Sequence, residues 1–438
     1  MNIKESKKNW IKKYKSEIII FTFFILISII WTYPLIFKLN SIFIGGHGDS
    51  SATIWSIWWF KEAWKDNISS QFCPIISATF GHDFSNAIPY QFTDTLFFIF
   101  SSIFGEISAY NVILFLSYPL SAITMYFLVH YFTKNKLVSM ISGLIYSLCP
   151  YHYLRIQGHI LLSQIELIPL YFLFLFKFDE KKTFKNAITW GLVFSFLFLM
   201  VYYYGFFTII LTVLFFILKI LYSIVKEKKL GLSFADFFKI FLAVLVFILI
   251  VLPHFLSFLT IIKKEPTDFA KELIQLETYS ARIWEYFIPS VGNPFFKNIV
   301  SDFVFSHLHG SNLTESTLYL GFVPIIFSVI GIHFLYFIKH KTKFTKYSNT
   351  IKKQPINNKS KEIKFSNHIN CKNKLKSDEK INENNNSKNF FLFFLIILLL
   401  FSVIISLDPT VNIFSREIKF PSYYLFKLIP IFRVYTRF

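Results

Sequence analysis

Long apolar runs recur along this chain, and they constrain its fold more than any other feature. Stretches near the roughly 20 residues needed to cross a bilayer occupy 17–37, 108–132, 137–150, 160–177, 186–201, 206–225, 237–262, 318–338 and 389–407. A further run, 94–105, is too short to cross and reads as an interfacial or re-entrant piece. With 54% hydrophobic residues, 58 Phe and a mean hydropathy of +0.50, a soluble chain of this size could not hide its apolar surface. The expected fold is all-α: a polytopic transmembrane helical bundle of about nine spans with two sizeable outer loops.

Lysine placement orients the bundle. Lys4, Lys7, Lys8, Lys12, Lys13 and Lys15 crowd the N-terminus, which the positive-inside rule keeps in the cytoplasm. Threading nine spans from there leaves Lys134 and Lys136, the 177–185 lysines, the 226–229 lysines and the segment 339–388 on that same face. That last segment carries 14 Lys against four acids, whereas the opposite loops, 38–107 and 263–317, are mixed or slightly acidic. The net charge of +19 therefore belongs to cytoplasmic loops and not to a nucleic-acid surface. The predicted setting is the cell (plasma) membrane, multi-pass, with membrane lipids as neighbours. The first run lacks a small-residue cleavage site and ends Trp31-Thr32-Tyr33-Pro34, so it reads as an uncleaved anchor. Cys73, Cys149 and Cys371 have no metal-ligand spacing and suggest no disulfide framework.

These patterns divide the chain into a transmembrane domain over 1–338, an insert over 339–388, and a last span with an outer tail over 389–438. Residues 341–388 are rich in Lys, Asn and Ser and nearly free of apolar side chains. Such a segment cannot bury enough surface to offset its ordering entropy, so a disordered cytoplasmic insert is expected. The stretch from Pro421 to Phe438 reads as an amphipathic approach to a further span that does not follow, as in a short or truncated reading frame.

Candidate chemistry gathers on the outer segments. Six of the 11 histidines (His47, His82, His152, His159, His307 and His309) lie there or at the edges. Asp49 follows Gly45, Gly46 and Gly48, which let backbone approach a ligand closely, and it precedes a helix whose Trp55, Trp58, Trp59 and Trp64 suit the headgroup level. Asp49 equally fits a plain helix cap, with the tryptophans as anchors. His159, Ser163 and Glu166 are spaced i, i+4, i+7 and would share one helical face, with Glu166 roughly 10 Å deeper at 1.5 Å per residue. A carboxylate at that depth is costly and marks either function or a structural hydrogen bond. Arg155 adds a cation at the same rim, and Arg433 and Arg437 suit gripping a phosphate. Asp49, His307 and His309 are the candidate ligands for a divalent metal such as Mg or Mn, although loop polarity explains the two histidines as well. There is no Walker-type loop, no dinucleotide fingerprint and no serine elbow.

In the order of its motifs the chain resembles the GT-C superfamily, the polytopic glycosyltransferases that use polyprenyl-phosphate-linked sugars. The resemblance rests on Gly48-Asp49 with the Trp-rich helix, Ala109-Tyr110-Asn111, Pro150-Tyr151, Gly158-His159 and Glu166 through Pro169. Glu315 with Tyr319-Leu320-Gly321, and Pro430 to Arg433 with Arg437, complete it. The resemblance implies an inverting transfer at the outer face from a polyprenyl-phosphate sugar donor to a cell-envelope glycan or lipid. Asp49 would act as general base or metal ligand, Glu166 and Glu315 as further acids, and His159, Arg155, Trp55, Trp59, Arg433 and Arg437 as substrate contacts. A transporter or flippase for lipid-linked glycans, or an inactive truncated remnant, are the other readings. The former would favour paired repeats with broken helices, which the sequence does not display.

Overall fold

The computed structural model describes residues 3–45, 48–77, 80–83, 91–228, 230–264, 273–309, 318–334, 390–413 and 416–428. The expectations placed on 341–388, Glu315, Arg433 and Arg437 lie outside the described residues. The chain is mostly helical and forms two compact units, one of 1–213, 232–319 and 406–438 and another of 214–231 and 320–405.

Each apolar run coincides with helix over most of its described residues, yet only some of these helices are long. Four can cross a membrane by length and composition: 14–31 within α1 (Ile3–Trp31), all of α4 (Glu106–Thr133), 202–226 within α10 (Tyr202–Glu227) and 234–256 within α11 (Phe234–Lys264). Shorter apolar helices are α3 (Gln91–Phe104), α5 (Lys136–Ser147), α9 (Phe184–Met200), α14 (Phe322–Phe334) and α15 (Phe390–Ser406). The run 17–37 is not helical to its end. Pro34 disfavours helical backbone at the residue before it, so α1 stops at Trp31 and only Leu35–Phe37 forms a 3-10 turn.

In the larger unit α4 is the hub. It packs against α1, α3, α5 and α8 (Leu167–Glu180), while α9 packs against α8 and α11. Its core face carries Tyr110, Leu114, Tyr118, Ala122 and Tyr126, all at most 2% exposed. Much of the remaining helical surface is apolar and exposed, as on Ile217, Leu221, Phe241 and Leu249, which suits contact with lipid. In the smaller unit Phe215 and Tyr222 meet Phe390 edge-on at 5.6 and 5.3 Å.

The two loops expected at the outer face hold short regular elements among their described residues. The first holds α2 (Asp49–Lys65), which packs on α3 and α4, and a short hairpin pairing β1 (Phe72–Cys73) with β2 (His82–Asp83). The second holds α12 (Leu273–Tyr279), a 3-10 turn at Ile283–Tyr286 and α13 (Lys297–Ser306). Ala281 donates its N–H to Ser406 O at 2.8 Å and pairs in parallel with Leu407. Beyond it, β3 (Thr410–Ile413) and β4 (Arg416–Lys419) form an antiparallel hairpin, followed by α16 (Pro421–Leu428).

Candidate functional site

The segment between α1 and α2 has little regular structure, so its carbonyls need donors from elsewhere. Asn111, in the second turn of α4 and fully buried, supplies them. Its Nδ2 donates to Leu39 O at 2.7 Å and to Ile42 O at 2.6 Å, and its Oδ1 accepts from Ile44 N at 3.4 Å. Phe43 sits edge-on to Tyr110 at 6.3 Å, and Ile44 packs against the buried cluster that includes Ile57, Leu114 and Ile156. Gly45 follows with φ +111°, where an added Cβ would stand 2.3 Å from Ser50 Oγ and 2.6 Å from Gln157 O. Only glycine lets the loop press so closely against the chain two residues before His159.

That contact brings the start of α2 to His159. Asp49 Oδ2 lies 3.0 Å from His159 Nδ1, with the carboxylate 69% exposed and the imidazole 23% exposed. An ionised carboxylate only accepts, so Nδ1 carries the proton and donates. Asp49 is the first residue of α2 and Gly48 its cap, with no side-chain capping bond from Gly48. A carboxylate in a first helical turn also sits favourably in the helix dipole. Ser50 is buried beneath it, facing the hydroxyl of Tyr110.

Arg155 is on the neighbouring α6 (Pro150–Ile156), 7% exposed, with its guanidinium over the Tyr151 ring at 5.1 Å. Its Nη1 has no partner among the described residues. Tyr151 and Tyr204 join their hydroxyls at 2.8 Å, and Tyr204 in turn donates to Leu162 O.

The expected stripe of His159, Ser163 and Glu166 on one helix is not what forms. His159 caps α7 (Ile160–Ser163), the chain then turns at Gln164, and Glu166 caps α8. Pro169 explains the break: a helix continuous from 160 would put it in the interior, where its missing N–H and its ring disrupt the ladder, whereas in the first turn of α8 it is tolerated. The carbonyl it would have left unpaired, Ile165 O, accepts from Tyr146 Oη at 2.9 Å. Glu166 is 5% exposed, and its Oε2 has no partner among the described residues.

The tryptophans divide in role. Trp59 is buried with Ala63 and Cys73 and its Nε1 donates to Ser70 O at 2.9 Å, so it holds the loop together and is not open to a substrate. Trp55 lies parallel to Trp59 at 6.5 Å and lines an open apolar cleft of about 370 Å³ with Phe43, Ile54, Trp58 and Ile107. Trp64 stands 68% exposed.

The candidate metal ligands do not gather. His309 uses both ring nitrogens, Nδ1 to Thr278 O at 2.7 Å and Nε2 to Glu285 Oε1 at 2.8 Å, and this leaves none for a metal. His307 stacks on Phe303 at 4.3 Å, with Nδ1 against Phe303 O at 2.9 Å. Among the described residues no group of three His, Cys, Asp or Glu side chains could hold an ion. Nor do the described histidines expected at the outer face form one set. His152 is fully buried between Ser117 Oγ at 3.0 Å and Ser147 O at 2.6 Å, and burial pushes it down to about 4.

A second polar knot went unseen in the sequence because its members come from distant segments. Glu285, 1% exposed, accepts from Arg282 N at 2.8 Å through Oε2 while Oε1 meets His309. Arg282 reaches Asp408 Oδ2 at 3.1 Å, and Thr410 donates to Glu277 Oε1 at 3.1 Å. The hydrogen bond to Glu285 raises the His309 pKa above its ordinary value. The spacing of Arg282 and Glu285, N-cap and third residue of a turn, was the one legible signal.

No known family model, curated protein or solved structure matches this chain.

Proposed function

We propose that the protein is a membrane glycosyltransferase that moves a sugar from a polyprenyl-phosphate donor to an acceptor at the outer face. The observation that carries this reading is the 3.0 Å pair of Asp49 and His159, two groups 110 positions apart that meet at the edge of an apolar bundle. In the proposed step the acceptor hydroxyl oxygen attacks the anomeric carbon of the donor from the side opposite the phosphate. Asp49 takes the hydroxyl proton, the bond from the anomeric carbon to the phosphate oxygen breaks, and polyprenyl phosphate leaves with its electron pair. His159 Nδ1–H holds the Asp49 carboxylate in register. The unpartnered Nη1 of Arg155 is a donor suited to the charge that develops on the leaving phosphate.

The test is Asp49→Asn. Outer-face sugar transfer from a lipid-phosphate donor in membranes should fall by about 10²-fold or more, and transfer at the wild-type rate would sink the assignment.

Glu166 favours a second reading, transport or flipping of lipid-linked glycans. A buried carboxylate whose Oε2 lacks a partner is the kind of group that proton- or ion-coupled carriers place inside the membrane. On that reading Glu166→Gln abolishes movement of labelled lipid-linked glycan across vesicles, while Asp49→Asn does not.

A further inference from the structure

We infer that Asn111 is the positioning residue for the Asp49–His159 pair. The inference rests on the reading of Asp49 as the base and adds what holds it in place. Asp49 is 69% exposed, so packing of its own side chain does not fix where the carboxylate points. Its location must be inherited from the backbone that carries it. That backbone follows the end of α1, and over residues 38–45 it has no regular ladder of its own, so its polar groups take partners from elsewhere in the fold.

Asn111 answers that need with one carboxamide. Both of its N–H bonds are used, on Leu39 O and Ile42 O, and its oxygen takes the N–H of Ile44. Three contacts to three residues of one loop, made from a side chain 67 to 72 positions away and 0% exposed, set the loop's height on α4. From Ile44 the next residue is Gly45, wedged between Ser50 Oγ and Gln157 O, and four residues later comes Asp49. The other half of the pair is fixed independently. His159 caps α7, which Tyr204 holds at Leu162 O, and Tyr146 holds the turn after α7 at Ile165 O. Asn111 therefore governs one side of a two-sided fit.

Related side chains cannot fully replace it. Aspartate has the same shape but no donors, and its carboxylate would face two carbonyl oxygens. Leucine fills the volume and leaves both carbonyls unpaired. Glutamine keeps the donors but carries them one methylene further, so it can restore the bonds only with a shift of the loop and replaces Asn111 in part.

The test uses the full chain in native membranes. Cysteines are placed in pairs, Asp49→Cys with His159→Cys at the site and Arg282→Cys with Asp408→Cys in the remote knot. Joining by a short bifunctional thiol reagent is followed as the increment over the parent chain. Adding Asn111→Asp should slow joining of the first pair by about tenfold and leave the second unchanged; a misplacement near 1 Å is enough to cost rates of that order or more. In a parallel assay with Asp49 and His159 intact, Asn111→Asp should lower kcat with KM little changed, and Asn111→Gln should recover part of both readouts. Equal slowing at both pairs would show a merely structural residue, and no slowing at either would show an idle one; each result overturns the inference. If joining behaves as expected but the native chain transfers no sugar, the transferase reading fails and the positioning role stands.

Discussion

The pair formed by Glu285 and His309 carries a proton requirement that can be read from its hydrogen bonds. Thr278 O can only accept, so His309 Nδ1 carries a proton, and an ionised Glu285 can also only accept. Both ring nitrogens must then be protonated, which makes His309 an imidazolium. The raised pKa of His309, caused first by its bond to Glu285, agrees with that requirement. Because the folded pKa lies above the ordinary value near 6.5, the native state binds the extra proton in the window above it. The pair's contribution is fully present below about 6.5 and is lost as pH rises through the folded pKa.

Replacing Glu285 by Ala removes a cap bond worth about 1 kcal/mol and a charge-assisted bond worth about 2 kcal/mol. It leaves the Arg282 N–H without its acceptor. The expected loss is about 3 kcal/mol, or several degrees in Tm at roughly 2–4 °C per kcal/mol. Glu285→Gln behaves differently. Its amide oxygen can still accept from Arg282 N while its NH₂ donates to the lone pair of a neutral His309, so every bond survives without the extra proton. Thermal unfolding of the purified protein in detergent, followed from pH 6 to 9, separates the cases. The native chain should lose stability with rising pH, Glu285→Gln should be nearly flat, and Glu285→Ala should be low throughout. Parallel profiles for the native chain and Glu285→Gln would refute the proton requirement.

Other outcomes follow from the same contacts. Gly45→Ala places a Cβ 2.3 Å from Ser50 Oγ at a φ of +111°, and should cost about 3 kcal/mol of stability, measured by thermal unfolding. His152 titrates in the opposite sense to His309: its folded pKa is pushed down to about 4, so the unfolded chain binds the proton first. Stability should therefore fall as pH drops from about 6.5 to 4, by roughly 3 kcal/mol at 1.36 kcal/mol per unit, and His152→Gln should lessen that acid sensitivity. Trp59→Phe loses the bond to Ser70 O and should cost about 1 kcal/mol, with proteolysis between Asp66 and Cys73 accelerated as the readout.

Hydropathy was enough to predict a mostly helical chain with helices long and apolar enough to cross a membrane, because a run of apolar side chains reports its environment without reference to any other part of the chain. The same is true of α2, whose Gly-Asp start and tryptophans are local signals, and of the stop of α1 ahead of Pro34. Pairing is a different matter. That Asp49 meets His159 depends on Asn111 holding a loop some 70 positions earlier and on Gly45 admitting the Gln157 carbonyl. The His159–Glu166 stripe failed because spacing assumes one continuous helix, whereas the chain turns at Gln164 and restarts at Leu167, where Pro169 is tolerated in the first turn. His309, a candidate metal ligand by sequence, has both ring nitrogens engaged by Thr278 and Glu285 some 24 to 31 positions earlier, and Arg282 beside them reaches Asp408 from a distant segment. The apolar runs, then, are a property of composition along the chain. Which polar group sits beside which is a property of contacts between distant segments, and tertiary packing alone decides it.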